Sequence, residues 1–467
     1  MIFSSLVFLY LFLPICLISY AAVRSVRAKN LVLIIFSLIF YAWGEPTRIV
    51  FLLLSAGVNY LCGLAVWNKN PEWLRKIFLT LSLLFNLGMI GYFKYSGFLM
   101  ENINLLFGKH FPVPEIVQLI GISFYTFQVI SYVVDCYWEK VEVQFNPLKF
   151  LLYVALFPQL IAGPIVRYAT IAAEIDDRKT TVEDLSVGLT RFVTGLAKKV
   201  ILADQLFRIV DQFLGGKPEN LTVAGTWYGV ILYSLYIYFD FSGYSDMAIA
   251  LGRIFGFHFD ENFNHPYLCK DITEFWQRWH ISLGTFFRDY LLPLPVFGIR
   301  NKYLSLGLVW LCTGIWHGAS WNYILWGVYY GAFILLETKI GKKKMRKIPI
   351  VLRHIYNKLV IIIGFGIFYF EDGRQLLIFF RNLSPFNPNG FFGYFEEMSL
   401  FNNMFLILAA IICTFPLLEI PKKLREKFPS AAPAISVTGT VLSVALLVTS
   451  SILLVDSTTK AFLYYRF

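Results

Sequence analysis

Two histidines, His280 and His317, are the side chains best suited to proton chemistry in this sequence. His317 lies in LVWLCTGIWHGASWNYILWGVYYGAFILLE, where, tyrosines aside, no other group titrating near neutrality occurs between Lys302 and Glu337. An ionisable group at membrane depth is costly and usually lines a substrate path or a relay. An apolar interior favours the neutral imidazole, the form a general base requires. Gly314 and Gly318 on either side permit close backbone approach or a break in the helix, and Trp316, Trp321 and Trp326 are expected to wall a narrow cavity against water. A histidine that only hydrogen-bonds between packed helices is the competing expectation.

His280 sits in DITEFWQRWHISLGTFFRDYLLP. Asp271 with Glu274 three residues on forms a start of the capping-box type, and Pro293 forms a stop, so the spacing predicts one helix of about 20 residues. Trp276, Trp279, His280, Leu283 and Phe287 fall on one face, while Glu274, Arg278 and Arg288 lie largely elsewhere, too charged to face hydrocarbon. Such a helix lies at an interface or lines a cavity. For His280 the plainer alternative is a polar residue at the edge of an aromatic stripe. Asp240, Ser242, Tyr244, Ser245 and Asp246 cluster where an apolar run ends, which suits helix capping as well as function. Gln159 and Arg167 flank Gly163-Pro164, a pair that marks a kinked or broken helix.

Other chemistry is excluded. The chain has no GxSxG, Walker A, GxGxxG or HExxH signature. Its six cysteines are scattered without a CxxC or CxxH pair, which reads as apolar filler and gives no metal site.

The elements that must position these residues are membrane helices. The chain has 467 residues, 57% hydrophobic and 15% charged, enough apolar material for on the order of a dozen crossings at roughly 20 residues each. The net charge of +11 fits cytoplasmic loops rather than nucleic acid. After an uncharged first run from Met1 to Val23, expected to stay attached as a helix because it lacks the basic region of a signal peptide, apolar runs fall near 31–43, 49–67, 77–100, 116–134, 148–166, 221–239, 303–336, 355–370, 402–420 and 433–455. The fold expected is all-α and polytopic, with roughly 11 transmembrane helices, since open strands cannot cross lipid and barrel alternation is missing. The organisation expected is one membrane domain with N-terminal helices over 1–166, a catalytic core over 167–336 and C-terminal helices over 337–467.

Loops rich in Lys and Arg, around 24–29, 69–76, 135–149, 342–347 and 422–427, are expected in the cytoplasm, and the acidic 371–401 segment opposite, which puts both termini outside. The stretch from about 167 to 302 resists division into spans. No internal repeat or pair of matched halves is present, which weakens a transporter reading.

Taken together, FSSLVFLYLFLPI with YAWGEP, GYFKYSGF, GISFYTFQVISYVVDCY, FPQLIAGPIVR, DFSGYSDMAIALGRIFGF, EFWQRWHISLGTFFRDYL, GIWHGASWN and the closing FLYYRF resemble the membrane-bound O-acyltransferases, in the branch containing the alginate O-acetylation membrane protein. The resemblance covers nearly the whole chain. It implies that His317 matches the catalytic histidine and His280 the second histidine of a Trp-His-x-Ser motif. It also implies that the unresolved middle holds re-entrant and interfacial helices around a tunnel joining the two membrane faces. The chain departs from the family where a Trp-Val-Phe-Phe-Arg-like block is common, reading GIFYFEDGR from Gly366 to Arg374.

The function implied is transfer of an acetyl group from cytoplasmic acetyl-CoA, with no bound cofactor, toward an extracytoplasmic polysaccharide such as an exopolysaccharide or peptidoglycan. An extracytoplasmic transferase or acceptor protein is the expected partner, in the bacterial inner membrane with its lipid. His317 is expected to accept the proton of an acceptor hydroxyl and His280 to orient or polarise. The substrate-binding set expected around them is Trp316, Trp279, Arg278, Arg288, Ser242, Tyr244 and Asn322. Arg278 and Arg288 suit the phosphates of a coenzyme thioester, and equally a structural salt bridge. D-alanyl transfer for teichoic acid is the sibling alternative. A transporter or flippase that makes no bonds is the alternative from another class.

Overall fold

The structure, a computed structural model, describes residues 1–455 apart from 217, 297 and 418; the closing FLYYRF lies outside the described residues. The described chain is helical, with two isolated β-bridges, Phe263–Trp279 and Val296–Ile299. In order the helices are α1 Leu13–Ala22, α2 Val26–Gly44, α3 Ile49–Ala65, α4 Glu72–Ile90, α5 Ser96–Phe107, α6 Ile122–Tyr137, α7 Pro147–Ala155, α8 Phe157–Leu160, α9 Tyr168–Asp176, α10 Val182–Ala197 and α11 Asp204–Phe213. There follow α12 Val223–Ile254, α13 Ile272–Arg278, α14 Ile281–Tyr290, α15 Lys302–His317, α16 Trp321–Ile340, α17 Lys342–Met345, α18 Ile350–Tyr369, α19 Gly373–Leu383, α20 Tyr394–Cys413, α21 Glu419–Lys427 and α22 Ala432–Val455.

Among the described residues five stretches are long and apolar enough to cross a membrane: α2, Glu72–Phe107, α18, α20 and Pro429–Val455; Phe8–Ala22 and α3 are shorter apolar helices. Their exposed faces carry residues such as Leu81, Leu84, Val441, Leu442 and Ile452, a surface suited to lipid and unsuited to water. The protein is a membrane protein. The stretch that resists division into spans contains α9, α13 and α14, of 9, 7 and 10 residues, which at 1.5 Å per residue fall well short of a hydrocarbon core of about 30 Å. It also contains α12, of 32 residues, which continues through Asp240–Asp246 where the apolar pattern had predicted an end. The polar cluster is therefore inside a helix, with no capping duty.

The chain forms two compact units. Among the described residues one comprises 1–192 with 244–261; the other comprises 193–243 with 262–455. The first has an aromatic centre in which Phe3, Phe8, Phe12, Phe40 and Phe157 lie 5.0–6.4 Å apart by ring centroid. Between α3 and α4, buried Asn59, Asn86 and Ser82 exchange side-chain hydrogen bonds of 2.7–3.3 Å, the polar adhesion used between helices where lipid supplies no hydrophobic drive. The Gly163-Pro164 break occurs as expected: α8 ends at Leu160 and α9 begins at Tyr168. Gly163 has φ +103°, and a Cβ there would stand 3.0 Å from Ala248 Cβ, so glycine is required twice over.

The second unit holds both histidines. In it a buried ammonium, Lys199, lies 2.6 Å from Asp240 of α12 and 2.8 Å from Asp204 at the start of α11. Lys199 belongs to a π-helical segment, Lys198–Ala203, joining α10 to α11.

Candidate active site

The hairpin of α15 and α16 sets His317. The two helices approach until Gly314 on one faces Gly327 on the other, and a Cβ on Gly314 would stand 3.1 Å from Gly327 Cα. Three residues later α15 ends, with His317 as its last residue and Gly318 as its cap, and α16 starts at Trp321. Both features anticipated for the two glycines occur, close approach at Gly314 and a helix end at Gly318. His317 is buried at 3% exposure. Its ring meets Trp316 at 5.0 Å, Trp326 at 4.8 Å and Phe368 of α18 at 5.2 Å between centroids, each edge to face. Of the three tryptophans expected to form a wall, Trp316 and Trp326 do so, whereas Trp321 is 62% exposed.

His280 is held differently. The predicted 20-residue helix is two helices broken at Trp279–His280. Asp271 caps α13 as expected, accepting from Glu274 N at 2.8 Å, and α14 ends at Tyr290, ahead of Pro293. Between them Trp279 is extended and His280 takes the left-handed conformation, φ +46° and ψ +53°. A non-glycine residue there costs of order 1–3 kcal/mol, and the break persists because neighbouring chain over-determines it. Residues 262–264 run alongside: Ile281 N donates to Asn262 O at 3.0 Å, Asn264 N donates to Arg278 O at 2.9 Å, and Phe263 bridges Trp279. The start of α13 is anchored by Glu337 of α16, whose carboxylate accepts from Ile272 N and Thr273 N, both at 2.8 Å, from Thr273 Oγ1 and from Tyr356 OH. Arg353 adds an ion pair to Asp271 at 2.8 Å.

These supports bring both imidazoles against one indole. Trp316 lies 5.8 Å from the His280 ring and 5.0 Å from the His317 ring by centroid. Phe241 of α12 meets His280 edge to face at 4.6 Å. His280 is 2% exposed and lies outside the long apolar helices; burial alone pushes its imidazole down to about 3, so it is neutral at physiological pH. The end of α18 supplies part of this wall: Asn322 Nδ2 donates to the carbonyls of Ile367 and Phe368 at 3.3 and 3.1 Å, which fixes Phe368 against His317.

Two buried imidazoles about one indole suit acyl or proton transfer, and the comparisons with known proteins decide between broad classes. Residues 141–371, which include both histidines, match the model of the membrane-bound O-acyltransferase family. The probable alginate O-acetylase AlgI of Pseudomonas aeruginosa is 41% identical over 384 residues, 80% of this chain and 72% of that protein. The chain belongs to the membrane-bound O-acyltransferase family. The peptidoglycan O-acetyltransferase of Helicobacter pylori is 35% identical across 71% of this chain and 69% of its own length. The teichoic acid D-alanyltransferase of Bacillus subtilis is 28% identical across 51% of this chain and 64% of its own.

The remaining residues expected around the acyltransferase site are distributed unevenly. Asn322 and Trp316 are part of the cluster. Trp279 is one residue from His280 but turns into a separate aromatic group with Phe263, Phe275 and Phe365, at 5.1–5.4 Å. Arg278 pairs with Glu274 at 2.8 Å, and Arg288, on the exposed side of α14, pairs with Asp289 at 2.7 Å. Ser242 is buried, and its hydroxyl has no hydrogen-bond partner among the described residues. Tyr244 belongs to the first unit, where its ring stacks on Phe3 at 4.7 Å. Phe241, Phe368 and Asn262 escaped the sequence reading. The two phenylalanines sit in apolar runs where nothing separates a site wall from core, and Asn262 lies in a loop without a motif.

Proposed function

We propose that this acyltransferase moves an acetyl group from acetyl-CoA on the cytoplasmic side of a bacterial inner membrane toward an extracytoplasmic polysaccharide, handing it to a partner transferase outside. The observation that carries the reading is the pair of buried imidazoles flanking Trp316 in a chain of this family. The acetyl donor is supported by the two relatives of higher identity, both named for O-acetylation. The basic loops, with Arg24, Lys76, Lys140, Lys343 and Lys423 among them, support an orientation with both chain ends outside.

In this mechanism His317 accepts the proton of the acceptor hydroxyl as its oxygen attacks the thioester carbonyl. The carbon–sulfur bond breaks, the acyl–oxygen bond forms, and His317 returns the proton to the departing thiolate, so no net proton is consumed. The carbonyl oxygen needs donors as it gains charge. The indole N–H of Trp326 is available: it is buried and without a hydrogen-bond partner among the described residues, and its ring is 4.8 Å from that of His317. The proton transfer requires an uncharged His317.

The D-alanyl relative supports a second donor, a carrier-protein thioester. The test is donor choice. Purified protein in proteoliposomes receives acetyl-labelled acetyl-CoA or a D-alanyl carrier thioester, and release of the free thiol is followed. Consumption of acetyl-CoA, competed by free CoA, is the expected result; consumption of the carrier thioester alone would overturn the acetyl assignment. A labelled donor crossing the bilayer intact would indicate transport instead.

A further inference from the structure

The second histidine carries information in the hydrogen bonds on one side of its ring. Asn262 is fully buried and its Oδ1 lies 3.2 Å from His280 Nδ1, 3.2 Å from Ser282 N and 2.8 Å from Ser282 Oγ. A backbone N–H can only donate, so the Asn262 atom that it meets is the oxygen, and the amide orientation is settled by that contact. An amide oxygen can only accept. The ring nitrogen that faces it must therefore carry the proton. Ser282 Oγ, whose own hydrogen goes to Asn262, stands 3.4 Å from the same nitrogen and offers it only a lone pair. Three contacts thus agree on one protonation pattern.

We infer that Asn262 is a positioning residue for acyl transfer: it fixes His280 as the Nδ1–H tautomer, so that Nε2 can accept a hydrogen bond from a second hydroxyl of the acceptor, beside the one whose proton His317 takes. The inference rests on the acyltransferase reading above and sharpens it. A neutral imidazole with a bare Nε2 accepts a hydrogen bond there and cannot donate one, so His280 orients the acceptor and does not polarise the thioester carbonyl. The break at His280 serves the same end. Were α13 and α14 one helix, Ile281 N would bond within it; instead it donates to Asn262 O at 3.0 Å, so the backbone of Asn262 sets the ring's position and its side chain sets the ring's proton.

The tautomer is measurable without any acyl donor, which separates this inference from the donor assignment. The full-length protein in nanodiscs, labelled with ¹⁵N in its histidine rings, is examined by NMR at pH 7, with the His280 signals identified by their loss in His280→Gln. The expected result is a protonated Nδ1 and a bare Nε2; a protonated Nε2 in the native protein would overturn the inference whatever the enzyme acts on. Kinetics supply the second arm. Asn262→Ala is expected to lower kcat about 100-fold with an unchanged KM for the donor, as for loss of a group that holds a catalytic imidazole. Asn262→Asp keeps an acceptor facing Nδ1 and so retains the tautomer and most of the rate. Its added negative charge favours the imidazolium, so the acid limb of its pH–rate profile is displaced upward by at least about one unit. A native kcat in Asn262→Ala, or an Asn262→Asp variant as slow as Asn262→Ala with the native pH profile, would contradict the inference.

Discussion

Gly314→Ala adds a single methyl group where α15 and α16 meet. The new Cβ would stand 3.1 Å from Gly327 Cα and 3.2 Å from Gly327 N, and closer still to the carbonyl oxygen of Tyr323, whereas ordinary contact begins at 3.4 Å. All three neighbours are backbone atoms and none can rotate aside, so the helices must separate or slide by roughly 1 Å, at an overpacking cost of about 1–3 kcal/mol in stability. His317 ends α15 three residues later and moves with it. A misplacement of about 1 Å at a reacting centre lowers rate about 100-fold, equivalent to about 2.7 kcal/mol in the barrier. Gly307→Ala on the same helix is the control: nothing lies within 4 Å of its Cβ, so the helix gains propensity and the site is untouched. The assay is thiol release from the acyl donor by both variants in detergent, with melting curves to establish folding. A folded Gly314→Ala variant at the native rate would refute the claim that hairpin closure positions His317.

Further outcomes follow from the same contacts. Glu337→Ala removes the carboxylate that caps α13 and leaves the buried Ile272 N and the half-buried Thr273 N without it, at a cost of about 2 kcal/mol read as a lower melting temperature in detergent; an unchanged melting temperature would speak against the anchor. His280 carries a pH signature: burial holds its folded value near 3, below the ordinary 6.5, so the unfolded chain binds the proton first as pH falls. Its contribution is complete above about pH 6.5 and declines by up to about 1.4 kcal/mol per unit below that, toward pH 3. His280→Gln should therefore melt with a shallower acid dependence between pH 7 and 5, and identical slopes would contradict its burial as a neutral group. Lys199→Met strands Asp204 and Asp240 without their ammonium, which costs about 3–5 kcal/mol and reduces the yield of folded protein. Adding Asp240→Asn should recover part of that yield, and a native yield from Lys199→Met alone would show the triad to be dispensable.

Much of the candidate site was legible because membrane burial is a severe filter. A histidine amid residues such as Leu311, Ile315 and Tyr323 has few reasons to be there, and Gly314 and Gly318 marked the close approach and the helix end beside it. The break at His280 was hidden because no glycine or proline announces it and the helical spacing of apolar residues runs on from Trp276 to Phe287. It is imposed from outside, by hydrogen bonds from residues 262–264. The polar residues from Asp240 to Asp246 misled in the opposite sense: they resemble a helix end, yet Asp240 remains within α12 because Lys199 satisfies it. Trp321 was misplaced because aromatic residues face lipid, core and substrate alike, and sequence spacing does not separate the three. Long apolar runs were readable at both ends of the chain and unreadable where helices of seven and ten residues flank His280.

The most direct test of the central claim is a comparison of native protein with His317→Gln, a variant that keeps a buried polar side chain but has no titratable base. Single-turnover release of CoA from acetyl-CoA, supplied with an acceptor hydroxyl, isolates the chemical step from product release. The account predicts a fall of about 10²–10⁴-fold, the range for loss of a general base, with donor binding unchanged. Equal single-turnover rates for the two proteins would remove His317 from the chemistry and leave the imidazole pair as packing.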